Sequence, residues 1–161
     1  MTRNAPLLAL LLLAGACDSS SSGTADGALL TLSGDVTGDF AATATSTQLD
    51  DSRKTSVTVA ATPMPSGFRA LTISVEIEGA PTARDYSVSE LKEANAAITT
   101  SASKMYAASL GGVGTFSALH VTSVVALGSS GTVTTYTLHG TLDATLAPLA
   151  GGSSVTLVAT F

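Results

Sequence analysis

The chain has 161 residues and a formal net charge of −5, from seven lysines and arginines against twelve aspartates and glutamates. This length is typical of a single domain with a core of its own. Arg53-Lys54 is the only adjacent basic pair, so we expect no basic face of the kind that binds nucleic acid. Aromatic residues make up 4% and tryptophan is absent, which argues against a high-affinity groove, since aromatic side chains usually anchor such sites.

The start of the chain has the composition of a bacterial export signal. Arg3 gives a basic start, and residues 5–16 form an apolar stretch that is too short to span a membrane as a helix. Three small residues, 14–16, then precede Cys17, the only cysteine of the chain. This arrangement resembles the signal of bacterial lipoproteins, although the first of the three is alanine where that family prefers leucine. The resemblance implies a signal peptide at 1–16 and acyl chains on Cys17 that hold the protein to the membrane.

Residues 17–27 are the predicted tether, in which a polar, serine-rich run follows the lipidated Cys17. An aspartate directly after the cysteine, here Asp18, resembles the inner-membrane retention signal of enteric bacteria. The expected localisation is therefore the bacterial cell envelope, on the periplasmic face of the inner membrane if Asp18 acts as that signal and in the outer membrane otherwise. An ordinary secretory signal with an incidental cysteine is the alternative. Loss of Arg3 with the signal leaves six basic against twelve acidic residues, a net charge of about −6.

Residues 28–161 are expected to form a single β domain. Alternating apolar and polar residues predict a first strand from Leu29, and residues 40–44 continue on one face beyond a glycine bend. A short strand is predicted at 56–61. The two prolines and the glycine of 63–67 predict a loop, because they cannot sustain a ladder of backbone hydrogen bonds.

The clearest strand signal lies at 68–79, where large aliphatic residues alternate with threonine, serine and glutamate. This period of two is typical of a strand with one buried and one solvated face. Together with the closing strands, it predicts a core formed by Leu71, Ile73, Val75, Ile77, Tyr136, Leu138, Leu142, Val155, Leu157 and Phe161.

One short helix is predicted near 88–96. Ser87 and Glu90 have the spacing of a capping box, in which the two residues satisfy each other's backbone amides. The apolar residues that follow share one helical face, although a strand from Ala97 onward is the alternative. The residues of that face are Val88, Leu91, Ala94 and Ile98.

The last third of the chain predicts long strands at 113–127, 132–146 and 155–161, with a glycine and serine turn at 128–131. The strand spacing favours an all-β, antiparallel β-sandwich, either Greek key or meander, with a small β-barrel as the alternative. The closing strands are similar to those of small envelope lipoproteins known only as domains of unknown function. The segments that carry this similarity are 114–117 (GTFS), 139–146 (HGTLDATL) and 154–161 (SVTLVATF).

No catalytic or metal-binding arrangement is predicted, so we expect neither an enzyme nor a cofactor. Two Ser-x-x-Lys matches, Ser89 with Lys92 and Ser101 with Lys104, lack the other elements of penicillin-binding enzymes. His120 and His139 are expected to lack a partner, with His120 half-buried and His139 too far along its strand from Asp143. The aspartates at 35, 39, 50 and 51 do not have the alternating spacing of a calcium loop and are interpreted as turn residues.

The strand at 132–146 presents a polar side that is the candidate interaction face. The function predicted from these observations is a lipid-anchored cell-envelope protein with a structural or protein-interaction role, whose partner is another envelope protein. The alternative is a small β-barrel that binds an apolar ligand. The residues of the candidate face are Thr135, Thr137, His139, Thr141, Asp143 and Thr145.

Overall fold

A computed structural model describes residues 24–49 and 53–161, and most of these residues lie in β-strands. No helix in this part of the chain is long and apolar enough to cross a membrane. The elements are β1 (Thr24–Gly34), β2 (Gly38–Leu49), β3 (Lys54–Ala61), β4 (Phe68–Glu78), β5 (Asp85–Tyr86), a 3-10 turn (Val88–Glu90), β6 (Leu91–Thr100), β7 (Met105–Ser109), β8 (Thr115–Ser130), β9 (Val133–Pro148) and β10 (Val155–Thr160).

All strand pairs are antiparallel, which confirms the predicted all-β, antiparallel class. The pairings join the ten strands into one sheet, in the order β10-β1-β2-β3-β4-β6-β7-β9-β8-β5. Because β9 also pairs with β10 and with β2, the strand pairings return to their starting point as a ring. The architecture is thus a single sheet that turns back on itself. The sequence had favoured a sandwich, in which two separate sheets pack face to face.

The predicted helix near 88–96 is wrong. Only Val88–Glu90 is helical, as a single 3-10 turn, and Leu91–Thr100 continues as β6 between β4 and β7. The capping-box contact is present, since the Ser87 amide donates to Glu90 Oε2 at 2.8 Å. A register shift opposite the start of β6 leaves Leu91 and Ala94 both buried, three residues apart, before strand alternation resumes. Because of this shift, buried residues of the strand are three positions apart, which is the spacing expected of a helix.

The turn predicted at 128–131 lies further along the chain. β8 extends to Ser130 and β9 begins at Val133, so the turn is formed by Gly131 and Thr132. Gly131 has a φ of +61°, a conformation that glycine adopts without a steric penalty. The two strands make a long hairpin whose free end extends to the Gly131 turn.

The core lies inside the ring of strands and is confirmed in full for the ten residues predicted. Ile73 is completely buried, and even Tyr136, the most exposed of the ten, is only 8% exposed. The cluster also receives side chains from β1, β6 and β8 that are not among the ten predicted. These include Leu30, Leu32, Ile98, Leu119 and Val121.

The chain end closes against β9 at a crowded point. The amide of Phe161 donates to the Gly140 carbonyl at 3.0 Å, and the Gly140 amide donates back at 2.6 Å. A Cβ atom at Gly140 would collide with the carbonyl oxygen of His120 on β8. Glycine is therefore required where β9 passes between β8 and the end of the chain.

Candidate functional site

The lipidation site predicted at Cys17 lies outside the described residues. The same holds for the whole signal segment 1–16 and for Asp18. Acylation of Cys17 therefore stays a prediction. β1 begins seven residues later, at Thr24, so the last four residues of the predicted tether, 24–27, lie in a strand.

The six residues of the candidate interaction face lie together on the outer side of β9. They alternate with the buried residues Tyr136, Leu138, Leu142 and Leu146, whose side chains enter the core. Among the outward residues, His139 and Thr145 are exposed, and the others are half-buried between neighbouring strands. The alternation of polar and apolar residues along β9 was enough to predict these six outward residues, because successive side chains of a strand point to opposite faces.

The same polar character continues onto both strands that flank β9. Thr141 is opposite Thr160 on β10 and opposite His120 on β8. Thr145 is likewise opposite Thr156 on β10. Directly opposed residues share a face of the sheet, so these side chains form one surface. We call it the threonine face, and it comprises Thr135, Thr137, His139, Thr141, Asp143 and Thr145 on β9, Thr156, Val158 and Thr160 on β10, and Thr31 on β1.

The threonine face offers hydroxyl groups and little formal charge. Asp143 is its one acidic member, and Thr31 at its border donates a hydrogen bond of 2.8 Å to Asp39 on β2. Hydroxyls both donate and accept hydrogen bonds, and without an adjacent base they are weak nucleophiles. Chemically, this surface is suited to contact with a polar partner.

The expectation that His120 lacks a partner is wrong. His120 Nδ1 lies 2.7 Å from Asp85 Oδ1, because the two-residue strand β5 pairs Asp85 with His120 at the edge of the sheet. Close to half of the His120 side chain, 48%, is exposed. Within the described residues the imidazole hydrogen-bonds to no serine or threonine hydroxyl, so the pair lacks the nucleophile of a catalytic triad. No local pattern could have found this contact, because the two residues are 35 positions apart.

The connection between β4 and β6 holds a compact charged cluster beside this pair. The Arg84 guanidinium lies 3.8 Å from the centre of the Tyr86 ring, and its Nη1 is 2.7 Å from Glu90 Oε1. The Arg84 hydrogen bond, followed by those from the amide and hydroxyl of Ser87, lowers the pKa of Glu90 to about 2. These contacts fix the connection in place, and the arrangement is structural because each charge already has a partner.

The two lysines of the Ser-x-x-Lys matches are also engaged in ion pairs. Lys92 Nζ lies 2.8 Å from Glu78, and Lys104 Nζ lies 3.4 Å from Asp35. The Tyr106 hydroxyl also donates to Asp35, and this hydrogen bond, ahead of the Lys104 charge, lowers the pKa of the carboxyl. Asp35 thus joins the β1–β2 turn to β7 and is not a free calcium ligand. In the described part of the chain, no three His, Cys, Asp or Glu side chains are placed to share a metal ion.

A narrow space remains between the core and β2. It holds about 160 Å³ of empty volume but admits no water-sized sphere. Ser46 projects there, 3% exposed, and its hydroxyl has no hydrogen-bond partner, whereas the nearby Tyr136 hydroxyl donates to Gln48 at 2.8 Å. This space is too small for an apolar ligand of the kind that the alternative function requires. Its lining residues are Ala44, Thr45, Ser46, Val57, Tyr136, Leu138 and Phe161.

Comparisons of the chain with known protein families, with curated proteins and with solved structures give no significant match.

Proposed function

We propose that this protein is a lipid-anchored component of the bacterial cell envelope that acts by contact and catalyses no reaction. The anchor is the acylated Cys17, in the inner membrane if Asp18 directs retention and in the outer membrane otherwise. The working surface is the threonine face, and the partner is another envelope protein. The observation that carries the proposal is the continuous polar surface across β9, β10 and β1, on a sheet whose other side carries a cluster of buried hydrophobic side chains.

The chemistry of the face limits the kind of binding we expect. It is rich in hydroxyls and carries no Phe, Tyr or Trp side chain, although such side chains often supply much of the binding energy at protein interfaces. We therefore expect contact of modest affinity. Attachment of both partners to one membrane offsets a modest affinity, because tethering raises their effective concentration.

A complementation assay separates contact from chemistry. The face variant combines Thr137→Glu with Thr141→Glu, which introduces charge into the threonine face. Its matched control combines Thr58→Glu with Thr72→Glu, two half-buried outward threonines on β3 and β4 that receive the same added charge. The chemistry variant combines Asp85→Asn with His120→Gln, which removes the pair and leaves the threonine face unchanged. Each variant is expressed in a strain that lacks the gene and is checked for folding by circular dichroism.

We expect the chemistry variant and the control to restore the phenotype, and the face variant to fail. A folded chemistry variant that fails to complement places a reaction at the His120–Asp85 pair and contradicts the proposal. A face variant that complements fully shows that the threonine face is not the working surface.

The ring of strand pairings supports a second candidate, a closed sheet that carries an apolar ligand. The space beside Ser46 argues against this candidate, because it is too narrow to admit a water-sized sphere. Lipid extraction of the purified protein followed by mass spectrometry tests this candidate, which requires a stoichiometric, non-covalently bound apolar compound.

A further inference from the structure

The free end of the β8–β9 hairpin is unusually apolar for a solvent-facing strand. On β8, Val125 is 55% exposed and Leu127 is 47% exposed. Leu49, 52% exposed, ends β2 directly opposite Val133 at the start of β9. Every residue from Val125 to Ser130 is exposed. We call residues 124–133 the hairpin tip.

The hairpin tip also lacks charge. From Met105 to the end of the chain, Asp143 is the only aspartate, glutamate, lysine or arginine. Charged side chains at the same end of the sheet lie on the β3–β4 side, where Lys54 is in register with both Leu49 and Glu78. The end of the sheet therefore has one charged side and one neutral side with exposed aliphatic residues.

The strand register places the tether at this same end. Thr24, the first residue of β1, pairs with Thr45, and β2 then runs four residues further to Leu49, an advance of about 13 Å. Six residues lie between Cys17 and Thr24, and this segment reaches at most about 25 Å when fully extended. Along the strand direction, an acyl group on Cys17 therefore extends no more than about 12 Å beyond the level of Leu49.

We propose that the hairpin tip rests on the lipid bilayer and forms a second membrane contact beside the acyl chains. This inference rests on the proposed acylation of Cys17. Val125 and Leu127 gain by leaving water for the boundary between headgroups and acyl chains, and a neutral tip incurs no repulsion from anionic headgroups. Val125 is opposite Thr137 on β9, so its side chain lies on the same side of the sheet as the threonine face. The contact therefore inclines the sheet toward the bilayer at the Thr137 end and leaves the far end of the threonine face, at Thr145 and Thr156, for other proteins of the same membrane.

The absence of tryptophan from the chain makes a clean test available. Leu127→Trp places one fluorophore in the hairpin tip. Leu149→Trp is the control, at 52% exposure in the loop between β9 and β10, at the opposite end of the sheet. Each full-length protein is purified from the envelope, its acylation is measured by intact mass, and it is reconstituted into phosphatidylcholine vesicles with or without brominated acyl chains.

We expect brominated lipid to reduce the emission of the tryptophan at 127 about twofold, because the quencher lies at the depth where interfacial side chains insert. The emission of the tryptophan at 149 should not change. Replacing part of the phosphatidylcholine with an anionic lipid should leave this contrast unchanged, and a strict need for anionic lipid contradicts an apolar contact.

Three contrary outcomes are distinguishable. An acylated protein whose tryptophan at 127 is not quenched overturns the second contact and leaves the anchor intact. A sample without acyl chains overturns the proposed function itself. A third outcome is an emission shift of the tryptophan at 127 that depends on protein concentration in the absence of vesicles, together with no quenching by brominated lipid. This outcome means that the edge of β8 beyond its short pairing with β5 pairs with a second copy of the protein, and it overturns the membrane contact.

Discussion

Replacement of Ile73 by alanine tests which side chains of β4 face the core and which face outward. Ile73 is fully buried in β4, between Val59 on β3 and Ala96 on β6. The change removes three buried carbon atoms, worth roughly 2.4 kcal/mol at about 0.8 kcal/mol each. Backbone pairing on both sides limits collapse of the remaining space, so we expect a total loss of about 3–4 kcal/mol in the free energy of unfolding.

Urea unfolding followed by circular dichroism measures this loss, as a lower midpoint with an unchanged slope. The matched control is Ser74→Ala, one residue along on the outer side of the same strand, which should change the free energy of unfolding by no more than about 0.5 kcal/mol. If Ser74→Ala costs more than Ile73→Ala, β4 is displaced by one residue, and its inward and outward side chains exchange places.

Three further predictions concern single positions. Gly140→Ala should lower the free energy of unfolding by about 3 kcal/mol or more in the same urea assay, because its Cβ meets the backbone oxygen of His120; a loss below about 1 kcal/mol contradicts this closure. Ser46→Ala should be neutral or stabilising in that assay, because the hydroxyl it removes is buried without a partner, and a clear loss would reveal a hydrogen bond there. The pKa of Glu90 in the folded state, about 2, lies below its usual 4.5, so its contribution to stability is complete above pH 4.5 and is lost as the pH falls toward 2. Carboxyl NMR titration should show this, and Arg84→Gln should raise the pKa of Glu90; an unchanged value would mean that Arg84 is not its main partner.

The sequence identified β4 and the outer face of β9 correctly because both strands keep strict alternation along their length. In β9, Thr137 and Thr141 lie outward and Leu138 and Leu142 lie inward, as a period of two requires. These features depend only on neighbours within one strand, and a single strand was sufficient to reveal them.

Features that depend on pairing between distant segments were missed. Leu91 and Ala94 have helical spacing because a register shift buries both of them, and only the neighbouring strand β4 shows why. The His120–Asp85 contact likewise arises from β5, a strand of two residues that is too short to produce a periodic signal. The extension of the threonine face onto β10 and β1 required the register of three strands, and one sequence does not provide that register.

The intact mass of the protein extracted from its own envelope tests the central claim most directly. We expect residues 17–161 carrying acyl chains on Cys17, and an unprocessed precursor when Cys17→Ala removes the thiol. A mature protein that begins at another residue, or one whose Cys17 carries a free thiol, would contradict the anchor and with it the proposed place of this domain at the membrane.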